Sequence, residues 1–409
     1  MNSTSLNLTQ SSAPSTPAAA RAVLGMLSRL KHGSLELRLP DASIARFGQG
    51  GPKASVQVHD WNVFARALQS GDIGFAEGYI AGEWESGELS TLLELLIANR
   101  DELERVVYGT WWGSLLYRLK HLMNRNSRRG SAKNIHAHYD LGNQFYEMWL
   151  DPTMSYSSAW FEGDATRPLA QAQQAKVRRA LEQAGVTSGS RVLEIGCGWG
   201  GLAEIAARDF GAHVTGVTLS REQLGWAHER MMSARLDSDC DLRLQDYRSL
   251  AAQHQSRPFD AIVSIEMFEA VGREYWDGYF DTLRRCLKPG GYACIQSITI
   301  RDDLFERYVK STDFIQQYIF PGGLLPSVPQ FEALARRFGF TLVRSLAFGL
   351  DYAETLRRWR DAFDQNEAKV RSLGFDERFI RIWRFYLAYC EAAFMRGNTD
   401  VVQFTLQRN

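Results

Sequence analysis

The feature that most restricts the fold is a short apolar strand running into glycines. Val192-Leu193-Glu194-Ile195 leads directly into Gly196-Cys197-Gly198-Trp199-Gly200-Gly201, and a helical stretch begins at Leu202. Glycine there lets the backbone turn tightly and lets a ligand come close to the main chain. The same rhythm continues on both sides. Helical stretches at 171–184, 202–210, 222–232 and 276–287 alternate with strands at 191–195, 213–217, 242–245, 259–265 and 291–297. Strands alternating with helices predict a parallel, doubly wound α/β sheet.

A glycine loop of this kind serves dinucleotides as well as nucleosides. Two features decide against a dinucleotide. The spacing is G-x-G-x-G-G, which is not the pyrophosphate spacing, and acidic Glu194 precedes the first glycine, where it reaches a cationic ammonium. The loop resembles the nucleoside loop of class I methyltransferases. After the second strand that class usually carries an acid for the ribose hydroxyls. This chain offers neutral Thr218 and Gln223 instead. Asp246 and Tyr247 follow the third strand, where the adenine edge lies in that class; a helix cap is the alternative role for Asp246.

The chain has 409 residues, long for one domain and comfortable for two. Lys+Arg and Asp+Glu both number 47, so nothing in the global charge asks for nucleic acid or another polyanion. The five cysteines, Cys197, Cys240, Cys286, Cys294 and Cys390, include no C-x-x-C pair and have no His cluster beside them. That argues against a disulfide framework or zinc site and fits a reducing cytoplasm. No uncharged apolar run approaches ~18 residues, so no spanning helix is expected. The N-terminus lacks the basic-then-apolar order of a secretory signal. Residues 1–20, rich in Ser, Thr, Ala and Pro, read as a disordered tail.

Residues 21–107 read as a smaller, mixed α+β N-terminal domain. Segments 35–39 and 54–58 alternate as strands, and Asp60 is a candidate N-cap for a helical stretch. Gly71, Gly74, Gly78 and Gly82 punctuate the turns that follow, and 89–97 is a buried helix. In 108–133, Trp111, Trp112, Leu115 and Leu116 stand beside Arg125, Arg128 and Arg129. An apolar, Trp-bearing helix next to a basic segment suits a membrane surface. A packed helix with a solvated linker is the alternative.

Residues 134–409 carry further motifs in a fixed order: NIHAHYDLGNQFYEMWLDPTMSYSSAWF, VLEIGCGWGGLA, VTGVTLSREQ, QDYR, SIEMFEAVG, LKPGG, YIFPGGLLPS and FGLDYAETLRRW. Together they resemble the cyclopropane-fatty-acyl-phospholipid synthases and the related mycolic acid methyltransferases, from about Gly71 to the end. Segment 71–86 resembles the small N-terminal domain of the bacterial phospholipid enzymes, which is associated with lipid engagement. The resemblance implies a class I methyltransferase fold and an S-adenosyl-L-methionine-dependent enzyme. It implies peripheral attachment to the inner face of the membrane, with unsaturated acyl chains of membrane phospholipids as partners. A homodimer stays open. The implied cofactor contacts are Tyr156, Ser157, Val192, Leu193, Glu194, Ile195, Gly196, Cys197, Gly198, Trp199, Gly200, Thr218, Leu219, Ser220, Arg221, Glu222 and Gln223.

The family reaction sets further demands. The π-electrons of a cis double bond attack the sulfonium methyl, a carbocation forms on the acyl chain, and a base removes a proton from the new methyl as the ring closes. Such a site needs dry, apolar walls and electron-rich ring faces. In the family a bound bicarbonate is the base. The resemblance places it among Ser158, Glu269, Gln296, Tyr352 and the backbone of Ile298. Ser158 and Gln296 stand where the family has Cys and His; both still donate, but a charge-assisted contact is lost. A misplaced base would leave a methylene or methyl branch instead of a ring. Cys390 falls at a cysteine the family marks; inert core is its alternative role.

Other roles also have a plain alternative. Glu269 could cap a helix, although its loop lies at the carboxyl end of a strand. Tyr352 could be a core tyrosine with a satisfied hydroxyl. Tyr318 and Phe320 line an acyl channel or pack the core. His136 and His138 lack further ligands, so no metal is expected. Four functions remain: cyclopropane formation, acyl-chain branching, non-catalytic lipid binding on a methyltransferase fold, and a dinucleotide oxidoreductase, which the glycine spacing disfavours.

Overall fold

The computed structural model describes residues 16–103, 141–254 and 256–409. In the N-terminal part, β1 (Gly33–Arg38), β2 (Ile44–Gln49), β3 (Lys53–Val58) and β4 (Trp84–Glu85) form a sheet in the order β2-β1-β3-β4. Helices α1 (Ala18–Leu27), α2 (Asn62–Ile80) and α3 (Leu89–Ala98) belong to the same part. α1 begins inside the stretch read as a tail, so the expected boundary at residue 20 lies too late. Segment 108–133, with Trp111, Trp112, Arg128 and Arg129, lies outside the described residues, as do His136 and His138.

The expected turns at Gly74 and Gly78 are not there; both glycines sit within α2. The break falls at Gly71, with φ 62° and ψ −136°, and folds the two halves of the helix together. A Cβ at Gly74 would stand 2.2 Å from the Arg66 carbonyl oxygen, and one at Gly78 would stand 3.1 Å from Val63. The glycines permit this close approach. Asp60 supplies the expected cap, its Oδ1 accepting from the Asn62 N–H at 2.9 Å, while Trp61 at the helix start is already helical in its backbone and makes no side-chain cap.

The second sheet has seven strands: β5 (Arg191–Ile195), β6 (His213–Thr218), β7 (Cys240–Leu244), β8 (Phe259–Ile265), β9 (Leu287–Ile300), β10 (Phe340–Ala347) and β11 (Thr399–Arg408). Their order is β10-β11-β9-β8-β5-β6-β7. β7, β6, β5, β8 and β9 are parallel, as the rhythm predicts, and β11 runs antiparallel to both its neighbours. β5 and β8 are buried along most of their length, which explains their unbroken apolar runs. The helices that matter for the site are α4 (Leu169–Gln183), α5 (Gly201–Phe210), α6 (Arg221–Ala234), α7 (Gly349–Gln365) and α8 (Glu377–Met395).

One hydrophobic core joins the N-terminal part to the C-terminal helices. Leu37, Val58, Trp84 and Leu95 share it with Phe385, Tyr386 and Phe394 of α8. Ser90 Oγ donates to Glu391 Oε2 at 2.8 Å, and Arg360 of α7 pairs with the same carboxylate at 2.9 Å. Helices α3 and α2 of the N-terminal part therefore rest on α8, with a partly buried ionic contact inside the seam.

Candidate active site

The glycine loop opens at the carboxyl end of β5. The N–H groups of Gly196 and Cys197 donate to the Val217 carbonyl at 2.9 and 3.0 Å and tie the loop to β6. Gly196 (φ 90°) and Gly200 (φ 81°) are left-handed, which suits glycine. A Cβ at Gly196 would stand 3.1 Å from Met267, and one at Gly200 3.1 Å from Ala227, whereas one at Gly198 would meet nothing within 4 Å. The loop thus packs tightly at both ends and is open in the middle. Val192, Leu193 and Ile195 are buried and anchor the strand.

Glu194 is buried, and its Oε2 has no hydrogen-bond partner. Burial pushes its carboxyl up to about 8, against the pull of Lys176. A sealed, unpartnered carboxyl oxygen at the mouth of a strand is costly unless a cation or donor completes it. These residues fit the ammonium of an amino-acid-bearing nucleoside. Trp199 donates through Nε1 to Asn143 Oδ1 at 2.7 Å and packs on Tyr146 at 5.0 Å. Thr218 Oγ1 donates to Gln223 Oε1 at 3.0 Å, and Ser220 Oγ caps α6 by accepting from the Gln223 N–H at 3.2 Å.

A second cluster stands at the carboxyl end of β8. Glu266 takes a left-handed backbone, φ 49°, immediately after the strand. Its Oε1 accepts from the Ser158 N–H at 2.8 Å and from Gln296 Nε2 at 2.7 Å. Its Oε2 accepts from Tyr352 Oη at 2.7 Å. Gln296 is held by Gln403 Nε2, which donates to its Oε1 at 2.9 Å. Glu269 accepts from the Ile298 N–H through Oε1, and its Oε2 is sealed without a partner. Desolvation and the neighbouring Glu266 push Glu269 up to about 8. Desolvation raises Glu266 as well, opposed by Lys176, Tyr352, Ser158 and Gln296.

Lys176 of α4 is a buried cation of the site. Its Nζ donates to Ser157 Oγ at 2.6 Å. Burial pulls its amine down to about 8, while Glu266, Asp151 and Glu194 pull it up. An aromatic wall stands near the cluster. Tyr156 Oη and Tyr386 Oη share a hydrogen bond of 2.7 Å, and Phe320 lies 6.5 and 6.2 Å from their rings. Trp359 is 5.5 Å from Tyr156 and 6.1 Å from Tyr352. Such ring faces attract positive charge. Farther along the same face of β9, Ile300 helps to line a cavity of about 250 Å³ between the N-terminal part and α8. Leu37, Phe64, Leu92, Tyr308 and Phe385 line it too.

Several expected residues sit differently from the sequence reading. The Ser158 hydroxyl donates to the Ala159 carbonyl at 2.9 Å, so its backbone N–H meets the carboxylate. Asp246 caps the short turn Tyr247–Ser249 and pairs with Arg248 at 2.5 Å, the alternative role read for it. Tyr247 meets Tyr279 edge-on at 5.6 Å. Leu219 is half-buried, and Arg221 and Glu222 are exposed at the start of α6. Cys390 is half-buried on α8, and burial raises its thiol, as it does that of Cys197, which argues against a thiolate at either. Tyr318 Oη donates to Glu77 Oε1 at 2.6 Å and so bridges to α2. Two residues were missed. Glu266 lies inside SIEMFEAVG, three before Glu269, and two acids right after a buried strand are a readable signal. Lys176 was not singled out, although Ala172 and Ala180, four residues to either side, mark a buried stripe.

Comparison with known proteins bears on the same residues. The family model described as mycolic acid cyclopropane synthetase matches residues 126–404. Tuberculostearic acid methyltransferase UfaA1 of Mycobacterium tuberculosis is 40% identical over 401 residues, covering 96% of this chain and 92% of that protein. Cyclopropane-fatty-acyl-phospholipid synthase of Escherichia coli K12 is 35% identical over 375 residues, 91% of this chain and 93% of that one. The crystal structure of mycolic acid cyclopropane synthase CmaA1 complexed with SAH and CTAB matches with a TM-score of 0.62 at 34% identity, covering 68% of this chain and 98% of that chain. The oxidoreductase reading falls with these matches. The chain belongs to the mycolic acid cyclopropane synthetase family and is an S-adenosylmethionine-dependent methyltransferase with the class I α/β fold.

Proposed function

We propose that this chain adds one carbon from S-adenosylmethionine to the cis double bond of an unsaturated phospholipid acyl chain. The observation that carries the reading is the charge arrangement. Glu194 and Glu266 face a buried amine, Lys176, and Glu269 stands beside Glu266, next to an aromatic wall. A cationic cofactor completes the unpartnered carboxyl of Glu194 and favours its ionised form, and ring faces tolerate positive charge on the substrate. When bound, the cofactor supplies an electrophilic methyl on a sulfonium. Glu194 holds the ammonium, and the loop Gly196–Gly200 cradles the nucleoside. The region of Thr218, Gln223, Asp246 and Tyr247 takes the ribose and adenine. The apolar cavity behind β9 supports an acyl ligand. The N-terminal sheet with α1–α3 is read as the lipid-engaging part, docking from the cytoplasmic side of the membrane.

For the product, one observation favours a branched chain. Glu266 takes up donors that the ring-forming resemblance assigns to a free anion, so proton removal is organised differently here. Ring formation is the second reading, supported by Glu269, Tyr352 and Ile298 standing together and by the similarity to the phospholipid synthase. Total lipids from cells expressing the protein separate the two, with Glu269→Gln as control. A gain of one CH2 with olefinic methylene protons establishes the branched product, and a saturated methyl branch, two hydrogens heavier, establishes the same transfer followed by reduction by a separate cellular reductase. High-field cyclopropyl protons establish the ring. Purified protein that binds S-adenosylmethionine but alkylates no acyl chain in any lipid offered would sink both.

A further inference from the structure

We propose that Glu266 is the resident base of this site and that the protein works without bicarbonate. The assignment rests on the one-carbon transfer proposed above and concerns only the group that takes the proton. Four donors define the pocket. The Ser158 N–H, Gln296 Nε2 and Tyr352 Oη all end on Glu266, and the Ile298 N–H ends on Glu269. Gln296, Tyr352 and the Ile298 N–H are groups the resemblance gives to an exogenous anion, and each is already spent on a carboxyl of the chain, while the Ser158 hydroxyl, the fourth, donates to the Ala159 carbonyl at 2.9 Å. A further anion would sit beside the ionised Glu266 with these donors already used, which desolvation and like-charge repulsion disfavour. The residues present therefore do not fit bicarbonate.

Position supports the role. Glu266 follows β8, beside the strand that carries the glycine loop, and its neighbour Met267 packs against Gly196. Ligands of doubly wound sheets bind at the carboxyl ends of the strands. A glutamate held at φ 49° is unusual, and such strain persists where the surroundings enforce it, often at functional sites.

The chemistry is also apt. An ionised carboxylate has about four acceptor sites, and three here are filled, so one remains for a proton. The three donors also draw electron density from the oxygens, which makes Glu266 a poor target for methylation. A weak base suffices, because a C–H bond beside a carbocation is very acidic. Two adjacent carboxyls do not both ionise readily. Glu269, with one sealed and unpartnered oxygen, keeps its proton, and Glu266 stays ionised. In the step, a C–H bond of the transferred methyl breaks and the proton goes to Glu266. The electron pair forms the closing C–C bond of a ring, or the C=C bond of a methylene after a hydride shift. The proton then passes to water.

The test uses the whole protein in bicarbonate-free buffer with S-adenosylmethionine and unsaturated phospholipid vesicles. Wild type is expected to keep its rate within about twofold when bicarbonate is added. Glu266→Gly accepts the left-handed backbone and opens the pocket. It should lose about 100-fold or more of the rate and recover with bicarbonate. A second readout needs no turnover: 13C-labelled bicarbonate should bind Glu266→Gly and not wild type, as seen by NMR. Glu266→Gln, which keeps the shape, should be slow without rescue while binding the cofactor normally. Wild type that binds or needs bicarbonate overturns the proposal. So does either variant retaining most of the rate, or a folded, cofactor-binding Glu266→Gly that neither binds the anion nor recovers. If wild type alkylates no lipid under any condition, the transfer reading fails, while the labelling experiment still judges the pocket.

Discussion

Glu194 and Glu269 have raised carboxyl pKa values for a shared reason, desolvation without enough donors, and this makes two predictions at the scale of single residues. A cation arriving at Glu194 favours its ionised form. Binding of S-adenosylmethionine near pH 7 should therefore release a proton, seen by calorimetry as a binding enthalpy that follows the ionisation enthalpy of the buffer. Glu194→Gln should abolish that dependence and weaken binding by roughly 10- to 100-fold, the cost of a charged hydrogen bond of about 1.5–3 kcal/mol. The second prediction concerns stability. Both carboxyls have an ordinary value of 4.5 and a folded value of about 8, so within that window the folded state holds more protons than the unfolded. Their contribution is full below the lower value and is lost as pH rises through the upper one. Urea denaturation of the cofactor-free protein should show stability falling across the window, and Glu269→Gln should flatten part of the slope. Glu194 was legible in the sequence because it adjoins the loop it serves. Glu266 was not, because its role comes from residues 158, 296 and 352, which only the fold brings together.

At the scale of elements, legibility followed burial. β5 and β8 are enclosed on both faces, so their sequences are short unbroken apolar runs bounded by turns. β10 forms the edge of the sheet and is mostly exposed, with Arg344 and Ser345 in its middle, so its pattern carries no such signal. The antiparallel β11 beside it is buried in its middle but went unread too, because Gln403 and Thr405 break its apolar run. α2 failed for a different reason. Its glycines look like breakers, yet Gly74 and Gly78 serve helix contact rather than a turn. The contrast can be measured. Gly74→Ala drives a methyl into the Arg66 carbonyl, 2.2 Å away, and should cost about 2 kcal/mol or more in denaturant midpoint experiments. Gly82→Ala, left-handed at φ 75° but with nothing within 4 Å, should cost only the backbone penalty of about 1 kcal/mol. Equal losses at the two sites would show that the close approach within α2 does not matter.

Across the whole molecule, the question is whether residues 21–107 behave as a domain or as a lobe of one cooperative unit. The sequence reading separates them by composition and resemblance. The seam argues for coupling, because α3 and α8 share one core, and the Ser90–Glu391–Arg360 contact lies between them. An ionic group enclosed in such a seam strongly destabilises the structure when one partner is removed. Separation of the parts would expose Leu95, which is fully buried, together with Phe385 and Tyr386. Leu95→Ala should therefore lower the stability of the whole protein by about 2–5 kcal/mol, not that of the N-terminal part alone. Calorimetry should show a single transition that moves as one, and tryptophan fluorescence and far-ultraviolet circular dichroism should report the same midpoint. Two transitions, with only the first shifted by Leu95→Ala, would mean that the N-terminal part unfolds by itself. A single transition has a functional consequence. The cavity behind β9 is walled by both parts, so a ligand seated there should raise that one midpoint and bias the catalytic half as well as the lipid-facing half.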